Sequence, residues 1–179
     1  QGEFNRFTNA DPTKPIGNRL NATGELGRSF NFGGLNLTPK LALNATSYDL
    51  DQAMSNGSHS ATRVLPTFSL DSGLTMERPV HVFDRDLTQT LEPRIQYVRT
   101  PFKDQSFLPL FDSAPRDFNQ YAIYNENAFT GGDRISDANQ ASFALSSRLL
   151  DPTTGQVRLT ATVGQIYRFI APQVSLPVF

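Results

Sequence analysis

Residues 101–138 form the segment of this 179-residue chain whose side chains could carry chemistry. The segment interleaves charged and amide groups with phenylalanine and tyrosine at short spacing. The candidate functional residues in this segment and directly after it are Asp104, Gln105, Asp117, Asn119, Asp133, Arg134, Asp137 and Asn139. Because burying each aromatic ring is favourable, we expect this long loop to fold back onto the rest of the protein rather than stay in solvent.

The run GGDRISDAN, residues 131–139, allows two interpretations of its polar side chains. Asp133, Asp137 and Asn139 supply oxygen atoms of the kind that calcium binds, but the twelve-residue ligand pattern of an EF-hand is not matched. In the second interpretation the carboxylates cap backbone N–H groups and Arg134 forms a local pair. The sequence favours the second interpretation, and we predict no metal site.

Composition excludes several function classes. The formal net charge is −1 and the chain has no cysteine, so we predict neither nucleic-acid binding nor a disulfide or thiolate metal site. The sequence contains no GxSxG, HExxH or phosphate-binding glycine loop, and we therefore predict no enzymatic activity and no cofactor. No apolar run reaches the roughly 18–20 residues that a membrane-spanning helix needs.

Hydrophobic alternation with a period of two indicates the elements that position these groups. The odd residues of 35–45 are mostly leucine, while the even ones include Asn36, Lys40 and Asn44. The same pattern recurs over residues 63–77, 87–97, 140–149 and 157–169, and more weakly over 18–30. This is typical of long β-strands with one apolar face. We predict an all-β antiparallel meander whose apolar face includes Leu41, Leu43, Phe68, Leu70, Leu91, Ile95, Leu145 and Val163.

The opposite, polar phase of these strands carries most of the charge. Its candidate residues are Lys40, Arg63, Asp71, Glu92, Arg94, Arg148 and Arg158. The basic side chains could meet phosphate oxygens of a ligand. Alternatively, they pair with neighbouring carboxylates, and we prefer this second interpretation.

The connections between the strands differ in length. GRSFNFGG (27–34) and DPTTGQ (151–156) are compact, whereas residues 10–17, 51–62 and 101–138 are longer and fall at the other ends of the strands. RPVHVFDRD (78–86) is of medium length on the short side. Short turns at one rim and long loops at the other are typical of outer-membrane barrels. Alternation alone leaves a soluble β-sandwich or jelly roll open.

Pro39, Pro66 and Pro93 each lie on the apolar phase of a predicted strand. Since proline cannot donate to a strand ladder, we expect a bulge or bend at each of them.

Four segments carry a family resemblance: RVLPTFSLDSGLTMER (63–78), QTLEPRIQYVRTPFKDQSFLPLFDSAPRDFN (89–119), NENAFTGGDRISDANQ (125–140) and SSRLLDPTTGQVRLTATVGQIYRF (146–169). Together they resemble the barrel of the LPS-assembly protein family, the outer-membrane translocon that inserts lipopolysaccharide into the outer leaflet of Gram-negative bacteria.

The resemblance implies a central fragment, about seven or eight strands, of a barrel of about 26 strands. The seven polar-phase candidates would face the lumen, and residues 101–138 would be an extracellular loop. Implied partners are lipopolysaccharide, membrane lipid, the lipoprotein plug of the translocon and, through domains outside this chain, the periplasmic bridge. The family's gate strands and cysteines would also lie outside it. A complete small outer-membrane barrel, adhesin-like or porin-like, and a soluble carbohydrate-binding sandwich are the alternatives.

Overall fold

The protein is an antiparallel β-sheet in a computed structural model that describes residues 1–11, 13–82, 84–117 and 122–177. Its strands are β1 (Gly2–Phe7), β2 (Gly17–Gly27), β3 (Phe30–Phe32), β4 (Leu35–Leu50), β5 (Ser60–Leu74), β6 (Met76–Val82), β7 (Arg85–Thr100), β8 (Ala138–Leu150) and β9 (Val157–Arg168). A single 3-10 turn covers Ala122–Tyr124 in the described part of the loop between β7 and β8. No helix among the described residues is long and apolar enough to span a membrane.

The strands follow one another in space as they do in sequence. The order across the sheet is β1-β2-β4-β5-β7-β8-β9, while β3 pairs with β4 and β6 pairs with β7. All the neighbouring pairs are antiparallel. The predicted all-β meander is therefore confirmed. Within the described residues the sheet is open, as expected for a segment of a larger barrel.

The two faces of the sheet have opposite character, and the strand register decides which residue lies on which. Leu41 pairs with Phe68, and Leu145 pairs with Val163, so these four side chains share a face. Three of them are 40–52% exposed and Val163 is 69% exposed. Lys40, Arg94 and Arg148 lie one residue out of phase, on the opposite face. The predicted register is confirmed.

Two segments expected as turns or loops contain paired strands. β6 pairs with the start of β7, from Met76–Leu91 to Val82–Arg85. Residues 78–86 are thus mostly a hairpin, not the medium-length connection that the proline and aspartate content suggested. Within residues 27–34, β3 pairs with the start of β4, and Gly33 supplies the positive φ of 62° needed at the tip.

Each strand proline marks a place where pairing with one neighbour stops. Pairing with β4 is interrupted opposite Pro39, where β2 ends and before β3 begins. Pairing with β7 is interrupted opposite Pro93, where β5 ends and before β6 begins. Pro66 lies just before the first β5–β7 pair, Phe68–Arg99. The register across β4, β5 and β8 is otherwise unbroken. The missing N–H therefore leaves a gap in the ladder, and the expected bulge is not present at these positions.

Candidate functional site

The loop between β7 and β8 lies on the polar face of the sheet. Its described parts, residues 101–117 and 122–137, contact side chains of β2, β4, β5, β7 and β8. These contacts confirm the expectation that the loop folds back onto the rest of the protein. The loop divides into a buried base and a short arm, which are described in turn.

Asp133 is the centre of the buried base and is completely shielded from solvent. Its carboxylate accepts hydrogen bonds from Arg19 Nη1 at 2.7 Å and from the backbone N–H groups of Phe111 and Asp112 at 2.7 and 2.8 Å. Tyr48 Oη is 3.4 Å away. The carboxylate of Asp112 also binds Arg19, with both oxygens 2.7 Å from the guanidinium. The hydrogen bond from Arg19 lowers the pKa of Asp112 to about 2.

Arg63 is the second buried arginine of the base, and oxygen atoms without formal charge surround it. Its guanidinium donates to Gln105 Oε1 at 2.8 Å, to the carbonyl of Gly132 at 2.8 Å and to the carbonyl of Asp133. On the sheet it donates to Asn44 and Thr46. Arg63 thus joins β4 and β5 to the glycine-rich run through its two terminal guanidinium nitrogens.

Arg134 does not form the local ion pair that we expected. Its guanidinium is 2% exposed and donates to the backbone carbonyls of Leu108 at 2.8 Å and Pro109 at 3.0 Å. Burial lowers the pKa of this guanidinium. Arg134 therefore stabilises the loop backbone by satisfying carbonyls that would otherwise be buried without donors.

The three side chains considered as calcium ligands, Asp133, Asp137 and Asn139, point to three different places. Asp133 faces Arg19, Asp137 accepts the backbone N–H groups of Gln173 and Val174 at 2.9 Å, and Asn139 accepts the Tyr97 hydroxyl at 2.9 Å. Within the described ranges, no three His, Asp or Glu side chains form a group that could hold a metal ion. Asp133 and Asp137 thus cap backbone N–H groups, as the second interpretation predicts.

Apolar side chains close the base from the rim of the sheet. Tyr48, Leu50, Met54 and Leu108 form a buried cluster, with Phe107 and Phe111 packed against it. Phe111 also stacks on Phe7 of β1, with ring centroids 4.1 Å apart. Phe107 and Phe111 thus pack against β1, β4 and the connection that follows β4, whereas Phe102 at the start of the loop is 49% exposed.

Residues 122–126 form the arm, which extends from the base along the polar face. The Glu126 carboxylate is 2.8 Å from Lys40 Nζ and accepts the Ser69 hydroxyl at 2.6 Å. The guanidinium carbon of Arg94 lies 3.9 Å from the centroid of the Tyr124 ring. Burial raises the pKa of the Tyr124 hydroxyl. The arm thus contacts β4, β5 and β7 through these side chains, and its buried Ile123 accepts a hydrogen bond from Ser142 of β8 through the backbone carbonyl.

The remaining polar-phase candidates form ion pairs. Arg94 binds Asp71 through Nε at 3.0 Å and Nη2 at 2.6 Å, and Arg148 is 3.1 Å from Glu92. Arg158 pairs at 2.9 Å with Asp151 of the β8–β9 turn. The hydrogen bond from Arg158 lowers the pKa of Asp151 to about 2. Since the three arginines are 44–46% exposed, each pair contributes little to stability.

Three loop candidates lie away from these contacts or cannot be placed. Asp104 accepts the Ser106 N–H at 2.9 Å, and this bond lowers its pKa. Asp117 is exposed beside the arm, and Asn119 lies outside the described residues.

Tyr48 and Glu126 contact the loop or belong to it but are not among the residues predicted from the sequence. Tyr48 occupies the polar phase of β4, as Val98 does in β7, and both are buried beneath the loop. An apolar or aromatic residue on the polar phase of a strand indicates that another segment of the chain covers that side chain.

Comparison with known proteins supplies a family. The family described as LPS transport system D matches residues 1–177. Relatives named LPS-assembly protein LptD are 48% identical in Aromatoleum aromaticum and 47% identical in a Polaromonas species, each over 99% of this chain and 22% of the relative. A third, from an Azoarcus species, is 44% identical over 94% of this chain and 21% of the relative. The chain thus spans about a fifth of the length of these relatives.

Proposed function

The chain belongs to the LPS transport system D family, and from this membership we propose that it forms part of an outer-membrane translocon that assembles lipopolysaccharide into the outer leaflet. In this proposal the leucine-rich face contacts membrane lipid and the polar face lines the lumen. Lipopolysaccharide is the substrate, and we assign no enzymatic reaction.

The observation that carries the proposal is the inverted polarity of the sheet. Leu41, Leu43 and Val163 are 48–69% exposed on one face, whereas Arg19 and Arg63 are at most 2% exposed on the other. Exposed apolar surface of this extent is unfavourable in water and favourable in lipid. The strands that carry it, such as β4 (Leu35–Leu50), exceed the roughly 9–11 residues that a tilted strand needs to cross a bilayer.

The lengths of the connections at the two ends of the strands support an orientation of the sheet in the membrane. The short hairpins after β3, β6 and β8 would be periplasmic, and the connections after β1, β4 and β7 would be extracellular. The loop at residues 101–138 would then be an extracellular loop that folds inward as a partial lid. The lipoprotein plug and the periplasmic bridge, which the family resemblance implies, would contact the full-length protein.

The two alternative functions are less well supported. A soluble carbohydrate-binding sandwich would cover the leucine-rich face with a second sheet, and all strands of the described residues belong to one sheet. A complete small barrel, adhesin-like or porin-like, does not account for relatives of which this chain spans about a fifth.

Charge placed on either face tests the proposal in the full-length protein. Val163→Arg puts a cation on the apolar face near the middle of β9, where a bilayer would raise the cost of folding by about 2–4 kcal/mol. Thr162→Arg puts the same charge on the polar face one residue away. We expect the first variant to lose most of its folded, outer-membrane form and the second to keep it, as measured by heat-modifiable electrophoretic mobility of membrane fractions.

Surface lipopolysaccharide, measured while the wild-type copy is depleted, completes the test. We expect the Thr162→Arg variant to sustain surface delivery and the Val163→Arg variant to fail. If both variants fold equally well, the leucine-rich face does not lie in lipid. If folded protein is depleted without any loss of surface lipopolysaccharide, the transport role is wrong.

A further inference from the structure

Two arginines lie on the leucine-rich face at the hairpin of β6 and β7. Arg78 pairs with Gln89, and Arg85 pairs with Val82. Because Leu91 occupies the same phase of β7 as Gln89 and Arg85, both arginines share the face of the leucines, and both are exposed. No carboxylate of the described residues lies within ion-pair distance of either guanidinium group. This end of the leucine-rich face therefore carries two positive charges that lack a carboxylate partner in that part of the chain.

Arg78 is positioned by uncharged groups that cross three strands. Its Nε donates to Gln89 Oε1 at 2.9 Å, and Gln89 Nε2 donates to the Ser147 hydroxyl at 3.2 Å. The contact to Gln89 uses one of the five N–H donors of the guanidinium group. The terminal nitrogens of Arg78 have no acceptor among the described residues, so they can bind the oxygens of a phosphate with two parallel hydrogen bonds.

An apolar groove lies beside Arg85. Its volume is about 790 Å³, and its walls include Val82 and the three leucines Leu87, Leu149 and Leu159. Two carboxylates that also line it are already bonded elsewhere. Asp86 lies 2.9 Å from His81, and Asp151 lies 2.9 Å from Arg158. A groove with apolar walls and a cation at its edge suits an amphiphile that has an anionic headgroup and an acyl chain.

The position of Arg85 along β7 places it at the level of lipid headgroups. Tyr97 occupies the same phase twelve residues further along β7 and contacts Phe169, with ring centroids 6.2 Å apart. Aromatic residues of this kind mark a membrane interface. Twelve residues cover about 41 Å along a strand, or about 30 Å across the membrane at a tilt of 35–45°. Since the hydrocarbon core is about 30 Å thick, Arg85 lies at the opposite interface.

We propose that Arg78 and Arg85 bind the phosphate of an anionic phospholipid in the inner leaflet of the outer membrane, while an acyl chain of that lipid occupies the groove along Leu87 and Leu159. Arg78 starts four residues closer to the membrane centre, by its pairing with Gln89, and its long side chain can extend to the headgroup level. The inference rests on the proposed function, which directs this end of the sheet toward the periplasm.

Native mass spectrometry of the full-length protein in nonionic detergent, titrated with phosphatidylglycerol, tests the site. A cation near a lipid headgroup changes the dissociation constant by about fivefold. We therefore expect Arg78→Gln and Arg85→Gln each to weaken binding about fivefold, and the double variant about 25-fold. Arg148→Gln is the matched control, since it removes the same charge from the polar face; it should leave binding of phosphatidylglycerol unchanged.

Two further ligands test which molecule the site accepts. Phosphatidylcholine has the same phosphate but no net charge, and it should bind wild type at least tenfold more weakly than phosphatidylglycerol. Glycerol phosphate has the anionic headgroup without acyl chains, and a tenfold excess of it should not displace phosphatidylglycerol. The heat-modifiable mobility of each variant checks folding, and the single variants carry the test if the double variant does not fold.

The possible results separate this inference from the proposed function. Equal binding of phosphatidylglycerol by wild type and by the arginine variants would overturn the inference and leave the proposed function standing. Tighter binding of lipid A than of phosphatidylglycerol, with the same dependence on both arginines, would also overturn it, because the ligand would then belong to the outer leaflet. Failure of the proposed function would appear separately, as normal folding of the Val163→Arg variant in the membrane.

Discussion

Replacing Asp133 with alanine should release the loop between β7 and β8 from the sheet. The carboxylate joins a sheet arginine, Arg19, to two backbone N–H groups of the loop, and it is completely buried. Its removal leaves those donors without an acceptor. Because the strands pair without it, we expect the sheet to remain folded while the loop opens locally.

The size of the effect follows from the contacts. Truncating one partner of a buried charge pair costs about 3–5 kcal/mol. Because Arg19 would keep both contacts to Asp112, the loss of its ion pair with Asp133 should cost about 3 kcal/mol or less. Each orphaned N–H group adds about 1–3 kcal/mol if water stays excluded, and less where the loop is half-buried. We therefore expect the free energy of loop opening to fall by about 3 kcal/mol, or roughly 150-fold in the opening equilibrium.

Hydrogen exchange measured by mass spectrometry on the full-length protein in detergent reports this equilibrium. Peptides that contain Phe111 and Asp112 should exchange roughly 150-fold faster in Asp133→Ala than in wild type. Asp71→Asn is the matched control, since it removes a carboxylate from a half-exposed pair worth about 1 kcal/mol or less. Acceleration below tenfold, or equal to that of the control, would refute the central role of Asp133.

Three further predictions concern the loop, and Gly155→Ala in the β8–β9 turn is the control for one of them. Because the pKa of Asp112 is lowered to about 2 from an unfolded value near 3.9, its contribution is fully present above about pH 4 and should be lost as pH falls through 2; exchange of the same peptides at stepped pH checks this. Gly131→Ala should destabilise the loop by about 1–3 kcal/mol, because a Cβ there would lie 2.5 Å from the carbonyl oxygen of Asp112 at a φ of 69°. Gly155→Ala, with a φ of 68° and open space around it, should cost only about 1 kcal/mol, as measured by urea unfolding. Deleting residues 104–130 should make the outer membrane leaky to large antibiotics; an unchanged permeability barrier and unchanged surface lipopolysaccharide would contradict the lid.

Local patterns were enough to predict the sheet. A period of two assigns each residue to a face. A shift by one residue would have placed Lys40, Arg94 and Arg148 on the leucine side, so the register was strongly determined. The positions of Leu41 and Lys40 follow from this rule alone. The hairpin of β6 and β7 was less predictable, because Pro79 and two aspartates weaken the strand pattern over residues 78–86.

The sequence predicted that the loop is buried, but not which residues it contacts. Aromatic content indicated that the loop is buried, but the partner of Asp133 is Arg19, which is 114 residues away in the chain. Nothing in the spacing of a loop encodes which strand it will cover. The informative residues were on the sheet, where Tyr48 and Val98 break the polar phase at the ends of β4 and β7.

The hairpin of β6 and β7 extends beyond β4, since β4 begins at Leu35 opposite Leu74. Along residues 76–82, β6 consequently has β7 as its one strand neighbour in the described sheet, and its far side is a free edge onto which another polypeptide could add a strand. Hydrogen-bonded and non-hydrogen-bonded pairs alternate along the hairpin, starting with a hydrogen-bonded pair at Val82–Arg85. Pro79, opposite Thr88, is therefore at a non-hydrogen-bonded position, where an N–H would point away from β7. Proline deletes that donor, and Glu77, Arg78 and His81 add charge or polarity to the same short stretch. The protruding hairpin is thereby protected against edge-to-edge aggregation with other chains.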